Sequence, residues 1–106
     1  MAFEIILAPQ AVEALKKLSV PVRRGVEKAL EVHLTHEPTT VSKSRIKKLR
    51  GLSRPQYRLR VGDIRVFYDV TETQVQVLAV VSKAEAQAWL DEQGKTEGSR
   101  SSGSQG

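Results

Sequence analysis

The pattern of apolar and polar residues predicts one strand followed by two helices in the first third of the chain. The isoleucine-rich apolar run Phe3–Leu7 predicts a strand. Apolar residues at helical spacing then predict one amphipathic helix over about 9–18 and another over about 22–33. The break at Val20-Pro21 joins them as a tight helical hairpin. Because both helices carry an apolar stripe, the hairpin is expected to pack on a sheet.

The second half of the chain predicts that sheet. Two strands are expected at about 57–61 and 64–70, joined by the two-residue loop Gly62-Asp63. A third strand, Val75–Val81, is nearly continuous in apolar residues, which predicts a central strand covered on both faces. Residues 41–56 are basic and show no strand or helix period, so this segment is predicted to be irregular.

A last helix and a change of composition complete the pattern. Ser82 and Glu85 fit a capping box at the start of this helix. Residues 95–106 are rich in serine and glycine and contain no apolar residue, so they are predicted to be a disordered tail after a domain of residues 1–94. The predicted fold is α+β: an N-terminal strand and helical hairpin packed on a small, mostly antiparallel sheet, with a short C-terminal helix.

Composition restricts the class of protein. The 106 residues include 40% hydrophobic and 27% charged residues, which is typical of one soluble domain. The absence of cysteine excludes disulfides, cysteine-based metal sites and a cysteine nucleophile. The first residues show no basic region before an apolar run, and no apolar run is long enough for a membrane span. We therefore expect no signal peptide and no membrane association, and a cytoplasmic location.

The positive charge is concentrated in one segment. The net charge is +5, and nine of the seventeen basic residues lie between positions 43 and 65, where Asp63 is the one acidic residue. They are Lys43, Arg45, Lys47, Lys48, Arg50, Arg54, Arg58, Arg60 and Arg65. Such clustering favours a polyanionic partner over a merely solvated surface.

The tight loop at Gly62-Asp63 also predicts which side chains share a face. Side chains alternate along each strand, so one face carries Tyr57, Leu59, Val61, Ile64, Val66, Tyr68 and Val70. The other face carries Arg58, Arg60, Arg65, Phe67 and Asp69, with Arg60 directly opposite Arg65. Like charges in opposed positions are unfavourable, and guanidinium groups match phosphate oxygens, so this face is predicted to bind an anion. The alternative is a solvated face on which Arg58 or Arg65 pairs with Asp69.

Two motifs carry a resemblance to a known family. The segments "KKLRGL" at 47–52 and "YRLRVGDIRVFYDV" at 57–70, with the apolar strand and short helix after them, resemble the RelE/ParE superfamily of bacterial type II toxins over roughly residues 3–90. The resemblance implies a cognate antitoxin that covers the basic face in a hetero-oligomer. It also implies one of two activities: RelE-type members cleave mRNA in the ribosomal A site, whereas ParE-type members inhibit DNA gyrase.

The RelE-type chemistry that the resemblance implies needs no metal and no cofactor. The RNA 2′-hydroxyl attacks the adjacent phosphate, and basic side chains stabilise the charge that develops there. By motif, the residues expected to do so are Arg58, Arg60, Arg65 and Lys83. The residues expected to hold mRNA or rRNA are Lys43, Arg45, Lys47, Lys48, Arg50 and Arg54, with Phe67 stacking a base or packing in the domain.

The sequence departs from the RelE pattern near its end. Ser82-Lys83-Ala84 and Trp89-Leu90 stand where RelE-type toxins usually have a glycine-lysine/histidine-arginine cluster and a tyrosine. Trp89 can stack but cannot transfer a proton, and His33 and His36 are expected to be structural or exposed. Three functions stay open: first a ribosome-associated endoribonuclease, then a gyrase inhibitor without nuclease activity, and third a degenerate relative that keeps antitoxin binding but little toxicity.

Overall fold

The computed structural model describes residues 2–96 and has the predicted α+β class. Its elements, in chain order, are β1 (Glu4–Leu7), α1 (Pro9–Lys16), α2 (Val20–Leu34), β2 (Ile46–Lys48), β3 (Leu52–Arg54), β4 (Tyr57–Val61), β5 (Ile64–Val70), β6 (Gln74–Ser82), α3 (Lys83–Gln93) and β7 (Lys95–Thr96). No helix within the described residues is long and apolar enough to cross a membrane.

A five-stranded sheet in the order β1-β6-β5-β4-β2 organises the domain. β4, β5 and β6 form the predicted antiparallel meander, β2 pairs antiparallel with β4, and β1 pairs parallel with β6. The prediction that residues 41–56 are irregular is wrong for β2 and β3, three residues each. Strands this short have no apolar period of their own, and their pairing with neighbours determines them.

The end of the chain also differs from the prediction. Lys95 and Thr96 form β7, which pairs with β3 in a separate two-stranded sheet, so the ordered domain extends past the predicted boundary at residue 94. The rest of the predicted tail, residues 97–106, lies outside the described residues.

β6 is an interior strand between β1 and β5, as its apolar sequence predicted, and β5 is the middle strand of the sheet. Helices α1 and α3 both pack against β6. Five consecutive β5 residues, Ile64 to Tyr68, are buried, whereas β6 alternates between buried and half-buried residues over Gln74–Ala79. β5 is thus the more deeply buried strand although its sequence contains an arginine, because an aromatic residue and a buried arginine occupy one of its faces.

The helical hairpin covers the predicted apolar face. Val26, Leu30 and Leu34 of α2 are buried against this face of the sheet. The predicted α2 stripe begins too early, since Val22 is 44% exposed. Tyr68 is fully buried there, and its hydroxyl donates a 2.6 Å hydrogen bond to the Pro38 carbonyl. Burial raises the pKa of Tyr68, so this phenol is a structural group.

Helix α3 covers part of the opposite face. Its Trp89 ring stacks on Phe67 of β5, with the ring centroids 5.1 Å apart. The predicted N-cap is confirmed, because the Ser82 hydroxyl accepts a 3.2 Å hydrogen bond from the Glu85 backbone N–H. The Glu85 carboxylate completes the interaction by accepting from the Ser82 hydroxyl at 3.1 Å. The sheet face that carries Arg58, Arg60 and Arg65 is thus open on the side away from α3.

Candidate nucleic-acid interface

The strand register brings the strand arginines to one face, as predicted. Arg60 lies directly opposite Arg65, and Arg58 lies opposite Phe67. Strand β2 adds Lys47, which pairs with Arg58 on the other side of β4. Because directly opposed residues share a face, Lys47, Arg58 and Phe67 form one row across the sheet, with Arg60 and Arg65 in the adjacent row.

An open cavity of about 640 Å³ lies beside this face at the β2–β4 edge of the sheet. Six basic residues line this cavity, which we call the basic cavity: Lys43, Lys47, Lys48, Arg50, Arg58 and Arg60. No carboxylate of residues 2–96 lines it, although most protein surfaces place charges of both signs close together. Uncompensated positive charge around an open cavity favours the binding of an anion.

Arg58 lines this cavity and also has an unsatisfied donor in its buried part. Its Nε atom is buried and has no hydrogen-bond partner within residues 2–96. Burial, followed by the positive charges of Arg65 and Arg60, lowers the pKa of Arg58. An arginine remains protonated in proteins, so the domain holds a cation that is poorly solvated and repelled by its neighbours. An anion bound in the cavity beside this guanidinium would supply the counter-charge.

Arg65 does not line the basic cavity, although the sequence predicted that it grips a phosphate. Its side chain is only 7% exposed, and its Nη1 donates to the backbone carbonyls of Gly62 at 2.9 Å and Ile64 at 3.1 Å. This geometry corrects the prediction of a direct phosphate contact. Arg65 instead fixes the β4–β5 turn and places its charge behind Arg58.

Replacing Arg65 with alanine is therefore expected to destabilise the domain. The substitution removes two hydrogen bonds to carbonyls and leaves a space in a buried position, which should lower the free energy of unfolding by about 1–3 kcal/mol. Urea unfolding followed by far-ultraviolet circular dichroism measures the change. Arg60→Ala is the matched control, because Arg60 is exposed on the facing strand and should lose much less stability. Equal stability of the two variants would refute the structural role of Arg65.

Three further residues predicted for the site lie elsewhere. Arg54 pairs with Asp69 across β3 and β5, with Nε and Oδ2 3.1 Å apart. Lys83 is exposed at the start of α3, and its backbone N–H donates to the Asp63 carbonyl at 2.7 Å. Arg45 lines a separate, smaller cavity. The structure therefore brings six of the ten basic residues predicted for the site to the basic cavity. The four that do not line it are Arg45, Arg54, Arg65 and Lys83.

The partner of Arg54 is itself held by the fold. The Asp69 carboxylate accepts a 2.8 Å hydrogen bond from the Gln56 backbone N–H. Burial raises the pKa of Asp69, and the Gln56 hydrogen bond and the Arg54 charge oppose this shift. Asp69 thus pairs with Arg54, not with Arg58 or Arg65 as the alternative interpretation of this face required.

Phe67 is a packing residue in this structure. It is 1% exposed, and Trp89 lies against its ring in a nearly parallel stack with 6° between the planes. A base has no access to Phe67 while Trp89 covers it, which corrects the predicted RNA contact. Of the two functions that the sequence left open for Phe67, packing is the one this geometry supports.

Part of the cavity wall was missed by the sequence analysis. Val41, Ser42 and Ser44 line the basic cavity together with Lys43, so the segment leading into β2 forms one side of it. These residues carry no motif and no periodic pattern, and only their position beside β4 brings them to the site. Within residues 2–96, no group of three or more histidine, aspartate or glutamate residues is arranged to hold a metal ion.

Comparison with known proteins identifies the family. The family described as the ParE toxin of the type II toxin-antitoxin system parDE matches residues 5–87. No curated protein sequence matches the chain significantly.

Three solved structures share the fold. A chain of the archaeal RelE–RelB complex from Pyrococcus horikoshii is 28% identical to this chain. The match covers 78% of this chain and 97% of that chain, with a TM-score of 0.65. The toxin RelE of E. coli was solved as a double arginine-to-alanine mutant in the free state. It is 29% identical, the match covers 87% of this chain and 94% of the RelE chain, and the TM-score is 0.66. A chain of the toxin-antitoxin complex RelBE2 from Mycobacterium tuberculosis is 23% identical, and the match covers 77% of this chain and 99% of that chain. Its TM-score of 0.63 shows that the two chains share a fold. Because the family match spans most of the chain and the fold and the basic face agree with it, the chain belongs to the ParE toxin family of type II toxin-antitoxin systems, within the RelE/ParE superfamily.

Proposed function

We propose that this toxin is a ribosome-associated endoribonuclease that cleaves translated mRNA and binds an RNA phosphate in the basic cavity. The observation that carries the proposal is the basic cavity itself, in which six cations, Arg58 among them, face no carboxylate of residues 2–96. Arg58 is also partly desolvated and has a buried Nε without an acceptor in that range, and phosphate oxygens are the anionic partners that a guanidinium fits best. The similar structures at 28% and 29% identity contain RelE proteins, and the resemblance of this sequence to RelE-type toxins implies mRNA as the target.

The cavity supports charge stabilisation more than proton transfer. When the RNA 2′-oxygen attacks the adjacent phosphorus, negative charge accumulates on the non-bridging oxygens, where Arg58 and Arg60 would donate hydrogen bonds. Lys47 and Arg50 would hold the neighbouring phosphates, which adds salt-sensitive affinity that does not depend on sequence. Among residues 2–96, no histidine, carboxylate or tyrosine lines the basic cavity. Its lysines carry a proton in their charged form and cannot accept another. We therefore assign acceptance of the 2′-hydroxyl proton to a group of the ribosome–mRNA complex, which makes the ribosome part of the active site.

The second candidate function is inhibition of DNA gyrase without cleavage of RNA. The family match over residues 5–87 favours it, because that family is described by ParE. The lack of a histidine, carboxylate or tyrosine among the described residues that line the basic cavity is also expected of a protein that binds but does no chemistry. In that case the same six cations would contact an anionic surface of the gyrase complex.

A cognate antitoxin is the expected partner in either case. The P. horikoshii and M. tuberculosis structures are toxin-antitoxin complexes. We propose that the antitoxin of this toxin neutralises it by covering the basic cavity, with acidic side chains against its cations.

Induction of the toxin in a bacterial host, followed by primer extension on a translated reporter message, tests the proposal. We expect new 5′ ends within codons of the translated region, and no new ends on the same message when its start codon is removed. Pulsed-field electrophoresis of the same cells tests for double-strand DNA breaks. An intact reporter message together with such breaks would refute the nuclease and establish the gyrase alternative.

A further inference from the structure

A second cavity lies next to the basic cavity and contains both histidines of the chain. It has a volume of about 200 Å³ and lies where α2 ends and the chain turns towards β2. We call it the histidine cavity. Its polar lining consists of His33, His36, Glu37, Thr40, Ser42 and Arg45. Neither histidine takes part in the function proposed above.

One closed turn separates the two cavities. The Ser42 hydroxyl accepts hydrogen bonds from the backbone N–H groups of Arg45 and Ile46, both at 3.0 Å, and the Ser42 N–H donates to the Ile46 carbonyl at 2.9 Å. These bonds close residues 42–46 on themselves, so the turn is well defined. Ser42 lines both cavities, and the turn gives Lys43 to the basic cavity and Arg45 to the histidine cavity.

The turn also lies directly beside the strand that carries the cavity arginines. The Arg60 backbone N–H donates to the Arg45 carbonyl at 2.8 Å, which continues the β2–β4 pairing by one residue. Two cations on one short turn, each facing a different cavity, are suited to successive phosphates of one strand that crosses the turn. Fixed spacing of this kind costs little conformational entropy on binding.

The charge of the histidine cavity depends on its histidines. Arg45 and Glu37 offset one another, so protonation of His33 makes the lining net positive. Burial, followed by the charge of Arg45, lowers the pKa of His33. A phosphate bound between His33 and Arg45 would oppose this shift of the pKa of His33, because its negative charge offsets that of Arg45 and favours the protonated imidazole.

We propose that the histidine cavity is a second phosphate subsite for the RNA strand that occupies the basic cavity, and that it binds more tightly as the pH falls. This inference rests on the proposed function, because it takes RNA as the ligand of the basic cavity. Arg45 is then the constant cation of the subsite, and His33 is its titrating cation. The bound strand therefore crosses the turn at Ser42 and is contacted on both of its sides.

Fluorescence anisotropy with two labelled, single-stranded oligoribonucleotides tests the subsite. Both carry 2′-O-methyl groups to prevent cleavage, and their lengths are about four and about twelve nucleotides, since a groove of this type spans several nucleotides. Binding is measured at about pH 5.5 and about pH 8, on either side of the ordinary histidine pKa. We expect the longer oligonucleotide to bind several-fold more tightly at the lower pH. The shorter one, which fills the basic cavity alone, should show little change.

Two variants locate the effect. Arg45→Ala should weaken binding of the longer oligonucleotide by about fivefold to tenfold at both pH values. The double substitution His33→Gln and His36→Gln should remove most of its pH dependence and leave the affinity at the higher pH unchanged. Arg24→Ala is the matched control, because it removes one exposed positive charge from α2 outside both cavities. Circular dichroism establishes that each variant is folded.

Each outcome bears on the inference separately from the proposed function. Equal losses for Arg45→Ala and Arg24→Ala, or pH dependence that persists in the double histidine variant, would overturn the subsite and leave the nuclease proposal intact. No binding of either oligonucleotide would also overturn it. Conversely, binding that follows the expected pattern in a toxin that produces no cleaved message supports the subsite and refutes the nuclease.

Discussion

Arg58→Ala is expected to abolish growth arrest while the domain stays folded and about as stable as before. The substitution removes a guanidinium whose Nε is buried without an acceptor and whose neighbours, Arg60 and Arg65, repel it. Loss of this group should therefore change the free energy of unfolding by no more than about 1 kcal/mol. Loss of a preorganised donor to the transition state should reduce message cleavage by about 100-fold or more. Growth after induction, primer extension and urea unfolding measure the three quantities.

Two further variants separate geometry from net charge. Arg58→Lys keeps the positive charge but loses the planar arrangement of donors, so it should recover only part of the cleavage. Arg24→Ala removes an exposed charge of the same type from α2 and should cleave as well as the unchanged toxin. Full toxicity of a folded Arg58→Ala protein would exclude Arg58 from the mechanism. A similar loss in Arg24→Ala would attribute the effect to total charge alone.

Trp89→Ala is expected to have the largest effect on stability among the substitutions considered. No residue of α3 is fully buried, and the stack of Trp89 on Phe67 is the aromatic contact that joins this helix to the sheet. Removing the indole should lower the free energy of unfolding by about 2–4 kcal/mol and uncover Phe67. Urea unfolding measures the loss, and hydrogen exchange should show faster exchange of the α3 amides than of the β5 amides.

Trp89→Phe provides the matched control for this stack. It keeps an aromatic ring over Phe67 and should lose about half as much stability or less, with α3 still protected from exchange. An unchanged unfolding midpoint for Trp89→Ala would mean that the other contacts of α3 hold the helix. The aromatic stack would then be incidental to its position.

The fold was largely predictable because its signals are local. The two-residue loop at Gly62-Asp63 fixed the β4–β5 register, and alternation along the strands then fixed which residues face the helices. The N-cap at Ser82 and the apolar stripe of α2 from Val26 onwards depend on neighbours in the chain in the same way. The strands β2, β3 and β7 were missed because two or three residues carry no period, and only pairing with distant partners makes them strands.

The candidate site was less predictable than the fold. The sequence located the basic segment and the opposed pair Arg60 and Arg65, but treated every basic residue on the face as equally available. In the structure Arg65 is buried against backbone carbonyls and Arg54 is paired with Asp69. Charge is a property of the residue type, whereas exposure and pairing are properties of its surroundings, so the sequence overestimated the number of free cations.

By itself, then, the sequence determined the α+β class, the strand register and the side of the sheet on which the arginines lie, since these follow from periodicity and turn length over short stretches of chain. Only the tertiary structure decided that Arg58 is the arginine with a buried donor left without an acceptor within residues 2–96. It also decided that Phe67 lies beneath Trp89 and that one turn separates the basic cavity from the histidine cavity. Those features depend on segments brought together from distant parts of the chain, because desolvation and pairing arise only when such segments pack against one another.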